Sequence, residues 1–300
     1  MSESGAGPFV ERRIDVGELK LNVVELGHGP LVVLLHGFPE FWGSWRRQLL
    51  ALADAGFRAV AFDMRGYHLS DKPEGVDAYH MDRLTSDVAA LIRKLGEERA
   101  AAVVGHDWGG NVAWFFAMDY PDLVERLVLL NMPHPVAMER GLRTLRQLIK
   151  SWYIFYFQLP RVPERVARAG KFAVMKNSWQ REGVEPEDVD RLVRALETTG
   201  SLTGPLNYYR SALRSVALGK AKRMKLIEQP TLVIWGEKDA YLGRELAEPP
   251  VKWVPNARLE TIPDASHWVQ HVAAERVNEL MLNFLREGRP YHELRERALP

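Results

Sequence analysis

The sequence predicts an α/β protein: a mostly parallel sheet covered on both faces, with a helical insertion between two of its later strands. Three observations carry that reading. Short apolar runs rich in β-branched residues alternate with longer amphipathic stretches through about the first 130 residues. The alternation stops between residues 133 and 226, where helical spacing, many arginines and dense aromatics take over. Strand-like runs then resume at residue 231.

The elements follow in order. Residues 19–26 alternate polar and apolar, the pattern of a strand with one wet face. Residues 30–35 (PLVVLL) and 59–62 are continuous apolar runs, as expected of strands buried on both faces. A helix is predicted between them over 45–55. Next come a strand at 101–104, a helix at 111–118 and a strand at 127–130 (LVLL). The later strands are 231–235 (TLVIW) and 258–262, and a closing helix takes 275–286, to which His271 is also assigned. The layout is thus a core in two parts, 1–132 and 227–300, with 133–226 inserted as a lid. The alternative, a separate helical domain, fits less well because the sheet resumes after the insertion. The last residues, 287–300 (EGRPYHELRERALP), form a charged tail with no evident use.

Composition narrows the function. Of 300 residues, 46% are hydrophobic and 26% charged, an ordinary globular balance. Forty basic residues against thirty-nine acidic ones leave a net charge of +1, so no global field recruits nucleic acid or an anionic membrane, although a local patch is compatible with that sum. With no cysteine, thiolate metal sites and a cysteine nucleophile are excluded. The start lacks an apolar signal core and no run is long enough for a membrane span, so a cytoplasmic protein is expected.

The chemistry concentrates at VVGHDWGGNV, residues 103–112. Gly105-His106-Asp107-Trp108-Gly109 has the G-x-Nu-x-G spacing of a nucleophile elbow, a sharp turn from strand into helix. Small residues two before and two after are required because the strained central residue draws neighbouring backbones together. A carboxylate here points to one kind of reaction. Attack on an ester would give an anhydride and gain little, whereas attack on a saturated carbon bearing a leaving group gives a stable ester. Asp107 therefore predicts substitution at an epoxide or an alkyl halide. Being ionised near neutrality (reference pKa about 3.9), it needs no base for the first step. A base is needed afterwards, to activate water against the ester.

Nine histidines compete for that role. His267, in Ala265-Ser266-His267-Trp268, follows the last predicted strand, and Asp239, in Gly236-Glu237-Lys238-Asp239, follows the one before. Both fall on the same sheet edge as Asp107 and in the order nucleophile, acid, histidine. Glu237 and Asp264 are weaker candidates for the acid, and the alternative position after the preceding strand holds Asn131, which carries no charge. Asp239 would hold His267 in the tautomer that leaves Nε2 free.

With HGFPEFW (36–42), DMRG (63–66), GHDWGG, GEKD and SHW in register, the chain resembles the epoxide hydrolases of the α/β-hydrolase fold from about residue 11 to 285. The resemblance implies Asp107 as nucleophile with Asp239 and His267 as its charge-relay partners. It implies an oxyanion hole from the backbone N–H groups of Phe38 and Trp108, shaped by a cis peptide before Pro39. Tyr153 of WYIFYFQLP, rather than Tyr156, and Tyr209 of PLNYYR, rather than Tyr208, would donate to the epoxide oxygen. His36, Pro39, Trp42, His106, Trp152 and Trp268 are expected around the substrate, with His36 and His106 orienting loops or lining the pocket. Asp63 and Arg65 are read as structural. The implied partner is a small-molecule epoxide, with no cofactor and no metal, in a monomer or homodimer. The chain departs from the family at His68, where many members have a second glycine, which bears on the shape of that loop and on one pocket wall.

Three other classes fit the sequence less well. Haloalkane dehalogenases share the aspartate and often the tryptophan after it, but commonly place a halide donor such as Asn where Phe38 stands, and lack the tyrosine pair. A non-catalytic ligand-binding protein on this fold would be expected to lack one of the reactive groups. An ester hydrolase is disfavoured because no G-x-S-x-G occurs.

Overall fold

The computed structural model describes residues 8–198 and 202–287. Eight strands form one sheet: β1 (Val10–Asp15), β2 (Lys20–Leu26), β3 (Leu31–Leu35), β4 (Arg58–Phe62), β5 (Ala102–His106), β6 (Leu127–Leu130), β7 (Thr231–Gly236) and β8 (Ala257–Ile262). Their order across the sheet is β1-β2-β4-β3-β5-β6-β7-β8. β2 runs antiparallel to both β1 and β4, and every other pairing is parallel.

The continuous apolar runs follow from burial on both faces. Alternate residues of each central strand point to opposite layers. Leu31, Val33, Leu35, Val103, Leu127, Leu129 and Val233 enter one core cluster, while Val32, Leu34, Val104, Val128, Leu130, Leu232 and Ile234 enter the other. Helices α2 (Met81–Lys94) and α3 (Trp108–Asp119) cover the first face, whereas α1 (Arg46–Asp54) and α12 (Ala274–Arg286) cover the second.

Seven helices stand between β6 and β7 among the described residues: α4 (Pro135–Gly141), α5 (Leu145–Lys150), α6 (Trp152–Tyr156), α7 (Val162–Ala169), α8 (Ala173–Arg181), α9 (Pro186–Glu197) and α10 (Thr203–Ala217). They lie over the carboxyl ends of the central strands, where their side chains join those of the strand-end loops around one cavity.

Several elements differ from expectation. The edge strand β1 and helix α2 were not anticipated. Helix α3 begins at Trp108 rather than at residue 111, because Gly109 and Gly110 are already helical. His271 is not in the closing helix: it belongs to a separate single turn, α11 (Val269–Val272), and Ala273 at φ −133° breaks the path between α11 and α12. Residues 1–7 and all of the charged tail except Glu287 lie outside the described residues.

Candidate active site

The sheet order reverses between β3 and β5, the place where an open α/β sheet leaves a crevice beyond its strand ends. The loop after β3 carries Gly37 and Phe38, and the turn after β5 carries Asp107, so the two meet across that crevice.

Asp107 occupies the turn at φ 47° and ψ −122°, a backbone conformation that costs a non-glycine residue energy and persists only where its surroundings hold it. The flanking glycines are what permit it. A Cβ on Gly105 would stand 2.5 Å from the carbonyl oxygen of Gly109, and one on Gly109 would stand 2.1 Å from that of Leu35. The backbone N–H of Phe38 donates to Asp107 Oδ1 at 2.7 Å, and the N–H of Trp108 also donates to this carboxylate. The Phe38–Pro39 peptide is cis. Two backbone donors thus converge on the carboxyl group, which sits at the amino end of α3, where the helix dipole favours negative charge.

His267 lies between two carboxylates. Its Nδ1 is 2.7 Å from Asp239 Oδ2, and its Nε2 is 3.7 Å from Asp107 Oδ2. Asp239 is fully engaged: Oδ1 accepts from the backbone N–H groups of Tyr241 (2.7 Å) and Leu242 (2.8 Å), and Oδ2 accepts from Asn131 Nδ2 (2.8 Å). The two weaker acid candidates point elsewhere. Glu237 pairs with Arg244 at 3.2 Å and Asp264 with Lys238 at 2.7 Å, both on the surface.

These contacts decide the charges. Burial by itself would lower the pKa of His267, but Asp239, by charge and hydrogen bond, and Asp107, by charge, outweigh it and raise the value to about 9. For Asp239, burial pushes the carboxyl up, yet His267 and the donors around it prevail and hold it below the usual range. Asp107 goes the other way: burial raises it, against the pull of His267 and His106.

Asp107 and His267 open into a cavity of about 510 Å³ with a largely aromatic wall. Tyr153 from α6 and Tyr209 from α10 both line it, with ring centroids 6.0 Å apart. Burial, reinforced by the Asp107 charge, lifts both phenols well above their usual pKa, so they are donors at any working pH. Tyr208 faces away, donating to the carbonyl oxygen of Arg65 at 2.8 Å. Tyr156 also lines the cavity, but it packs on Trp152 rather than on Tyr209.

Of the residues expected around the substrate, Pro39, Trp152 and Trp268 line the cavity and His36, Trp42 and His106 do not. For the two histidines the cause is polar. His36 accepts from the N–H of Met64 at 3.0 Å, fastening the loop after β3 to that after β4. His106 sits between Glu40 (2.8 Å) and the carbonyl oxygen of His267 (3.0 Å), behind the elbow. Trp42 instead packs on Phe9 and Phe41. His68, at φ 31°, takes the left-handed conformation a glycine would accept freely, hydrogen-bonds Asp63 at 3.0 Å and forms no part of the cavity wall. Asp63 also accepts from the N–H of Trp42 at 2.9 Å, and Arg65 grips Asp87 with two bonds of 2.7 and 2.8 Å.

Three features were not foreseen. Tyr241 lines the cavity beside His267, and its hydroxyl meets Ser178 of α8. Asn131 joins the end of β6 to the acid. A buried polar chain runs behind the site: Glu40 contacts His106, Gln270 (3.1 Å) and His271 (3.1 Å), His271 reaches Asp188 of α9 (3.5 Å), and Arg47 donates to Asp188 (2.6 Å). Only HGFPE held a sign of it, in the position of Glu40; the rest depends on contacts between residues far apart in the chain. Among the described residues no group of three or more His, Cys, Asp or Glu side chains is arranged to hold a metal ion, and no helix is long and apolar enough to cross a membrane.

A carboxylate on a strained turn, two backbone donors and an Asp–His pair thus meet in one cavity at the strand ends, the place where α/β sheets carry their ligand sites. The α/β-hydrolase fold family matches residues 30–274, and the chain belongs to that family. Its relatives narrow the group. A Bacillus subtilis AB hydrolase superfamily protein, YfhM, is 41% identical over 280 residues, covering 91% of this chain and 96% of that protein. Human epoxide hydrolase 4 is 37% identical over 300 residues, 96% of this chain and 81% of its own. The crystal structure of a Bacillus megaterium epoxide hydrolase with an inhibitor superposes with a TM-score of 0.84 at 32% identity, covering 92% of this chain and all of that one. Within the α/β-hydrolases, the chain is a member of the epoxide hydrolase group.

Proposed function

We propose that the protein converts an epoxide and water into a vicinal diol through a covalent ester on Asp107. The observation that carries this reading is the cavity, in which the Asp107 carboxyl group, the His267 imidazole and the side chains of Tyr153 and Tyr209 share one largely apolar chamber. A serine hydrolase has no use for that combination. An oxirane does, because it needs a nucleophile at carbon and a proton at oxygen.

Asp107 attacks one ring carbon from the side opposite the C–O bond, which breaks as the new ester bond forms. The ring oxygen takes a proton from Tyr153 or Tyr209 and becomes a hydroxyl. Esterification removes the negative charge of Asp107, one of the charges that raise His267, so the imidazolium becomes more acidic and gives its own proton to the phenolate. Neutral His267, oriented by Asp239, then takes a proton from water as the hydroxide adds to the ester carbonyl. Phe38 and Trp108 N–H groups bind the resulting oxyanion, each donor contributing about 3 kcal/mol. Collapse releases the diol, protonated by His267, and leaves Asp107 as a carboxylic acid whose proton passes to the neutral imidazole, restoring the carboxylate and the imidazolium. Residues 133–226 act as the lid that keeps bulk water from the ester until that step.

The test is a single turnover in heavy-oxygen water with enzyme in excess. The scheme requires label in the Asp107 carboxylate and none in the first diol formed; label entering the diol directly would overturn it. Styrene oxide and 1-bromobutane assayed in parallel separate this reading from a dehalogenase, which would release bromide and form no diol.

A further inference from the structure

We propose that the outer face of the inserted helices, around the mouth of the cavity, is a docking surface for an anionic lipid bilayer. The argument begins with solvent exposure. Trp152 on α6, Val166 on α7 and Val174 on α8 come from three different helices, yet all three line the cavity while remaining 63%, 53% and 75% exposed. They form its rim. The apolar surface continues outward along the same helices: Phe155 follows Trp152 by three residues, Val162 precedes Val166 by one turn, and Ile149, in the last turn of α5, is 64% exposed. Large apolar side chains are exposed elsewhere as well, Val10, Leu69 and Val251 among them, but those of residues 145–174 are concentrated in one run of helices, and such a cluster marks an interaction site.

Charge identifies the occupant. Residues 140–176 contain nine lysines and arginines and one acidic residue, Glu164, within a chain whose net charge is only +1. Glu164 is committed to Arg210 at 2.8 Å. Arg161, Arg165, Arg168 and Lys171 have no acidic partner among the described residues. Arg161, Arg165 and Arg168 line an open groove together with Glu164, Arg210 and Arg214; Arg210 pairs with Glu164 and Arg214 with Asp77 at 3.1 Å, so the first three supply the positive charge that lipid phosphates would meet. A second copy of the chain would bring the same positive charge against this face. A bilayer with acidic headgroups offers what the surface lacks: negative charge at the level of the arginines and hydrocarbon below it for Trp152, Phe155 and Val174. Attachment would be peripheral, with the cavity mouth turned toward the acyl chains.

Flotation of the full chain with vesicles tests this without any assay of catalysis, so its failure is distinct from failure of the proposed reaction. Vesicles of phosphatidylcholine with phosphatidylserine should carry the protein, pure phosphatidylcholine should carry little, and raising the salt should release most of it. Arg165→Glu with Arg168→Glu should weaken partitioning by more than about tenfold, since each basic residue near such a surface contributes about fivefold. Ile149→Ser with Val174→Ser should weaken binding at both salt levels. Circular dichroism checks that each variant is folded. No difference between vesicle types, or equal binding by wild type and the double-arginine variant, would overturn the proposal. So would absence of vesicle binding together with a dimer that the Ile149/Val174 variant converts to monomer.

Discussion

Asn131 reaches from the end of β6 to the loop after β7, donating to Asp239 Oδ2 at 2.8 Å while its own Oδ1 accepts from the N–H of Gly236 at 2.9 Å. It is both a brace between two strand ends and part of what keeps Asp239 ionised. Asn131→Ala should let the Asp239 carboxyl rise and its grip on His267 slacken, lowering kcat/KM for diol formation by about tenfold, the cost of one charge-assisted hydrogen bond. Asn131→Asp should be worse, because it sets two carboxylates side by side. An unchanged rate in both variants would show that Asp239 needs no such support.

The nucleophile makes the sharpest prediction. Asp107→Ala should reduce diol formation by at least about 10⁴-fold, with the fold intact by circular dichroism. Residual activity near the wild-type level would mean that water attacks the substrate directly.

His267→Gln should separate the two chemical steps. Alkylation of Asp107 continues and hydrolysis stalls, so intact mass measurement after mixing with styrene oxide should find protein plus one substrate. An unmodified mass at times when substrate is consumed would contradict the role given to the imidazole.

The phenols should behave as a pair. Tyr153→Phe or Tyr209→Phe alone leaves one donor for the ring oxygen and should cost about tenfold. The double variant, which leaves an alkoxide with no acid, should cost far more than the product of the two single losses. A multiplicative double variant would indicate two independent roles.

The imidazole also sets a pH window. Its folded value of about 9 lies above the ordinary 6.5, so His267 protonation adds stability that is complete below about pH 6.5 and is lost as the pH climbs through 9. Melting temperature should fall across that interval. Asp107→Asn removes one of the charges that raise His267, so the fall should come at lower pH. Titration of the ring by nitrogen NMR in wild type and Asp107→Asn checks both statements.

The parts of the fold that were legible in the sequence share a cause. Strands buried on both faces must be apolar throughout, so LVVLL, AVVGH and TLVIWG stand out between glycines and polar loops. β1 (VERRID) did not, because as an edge strand five of its six residues are exposed and charge is tolerated there. Helix α2 (Met81–Lys94) is less legible, because its N-cap residue, His80, makes no side-chain capping bond that would mark its beginning. At the site, Asp107, Asp239 and His267 could be read because strand-end position and chain order locate them. Glu40, Gln270 and His271 could not: they meet across 230 residues or more, and no local spacing encodes a contact between distant loops.

That hidden contact decides how ligands come and go. Asp188 on α9 is fastened to the body of the protein by Arg47 and His271, and His271 in turn holds Glu40, all but Arg47 shielded from water. Swinging the helical roof away as a unit would strip Asp188 from buried His271, at roughly 3–5 kcal/mol, and from the half-exposed Arg47 besides. The roof is therefore bolted, and the door is in its side. Passage falls to rotation of the bulky groups at the opening, Trp152 foremost, so trimming that one indole should hasten product departure more than loosening any hinge would.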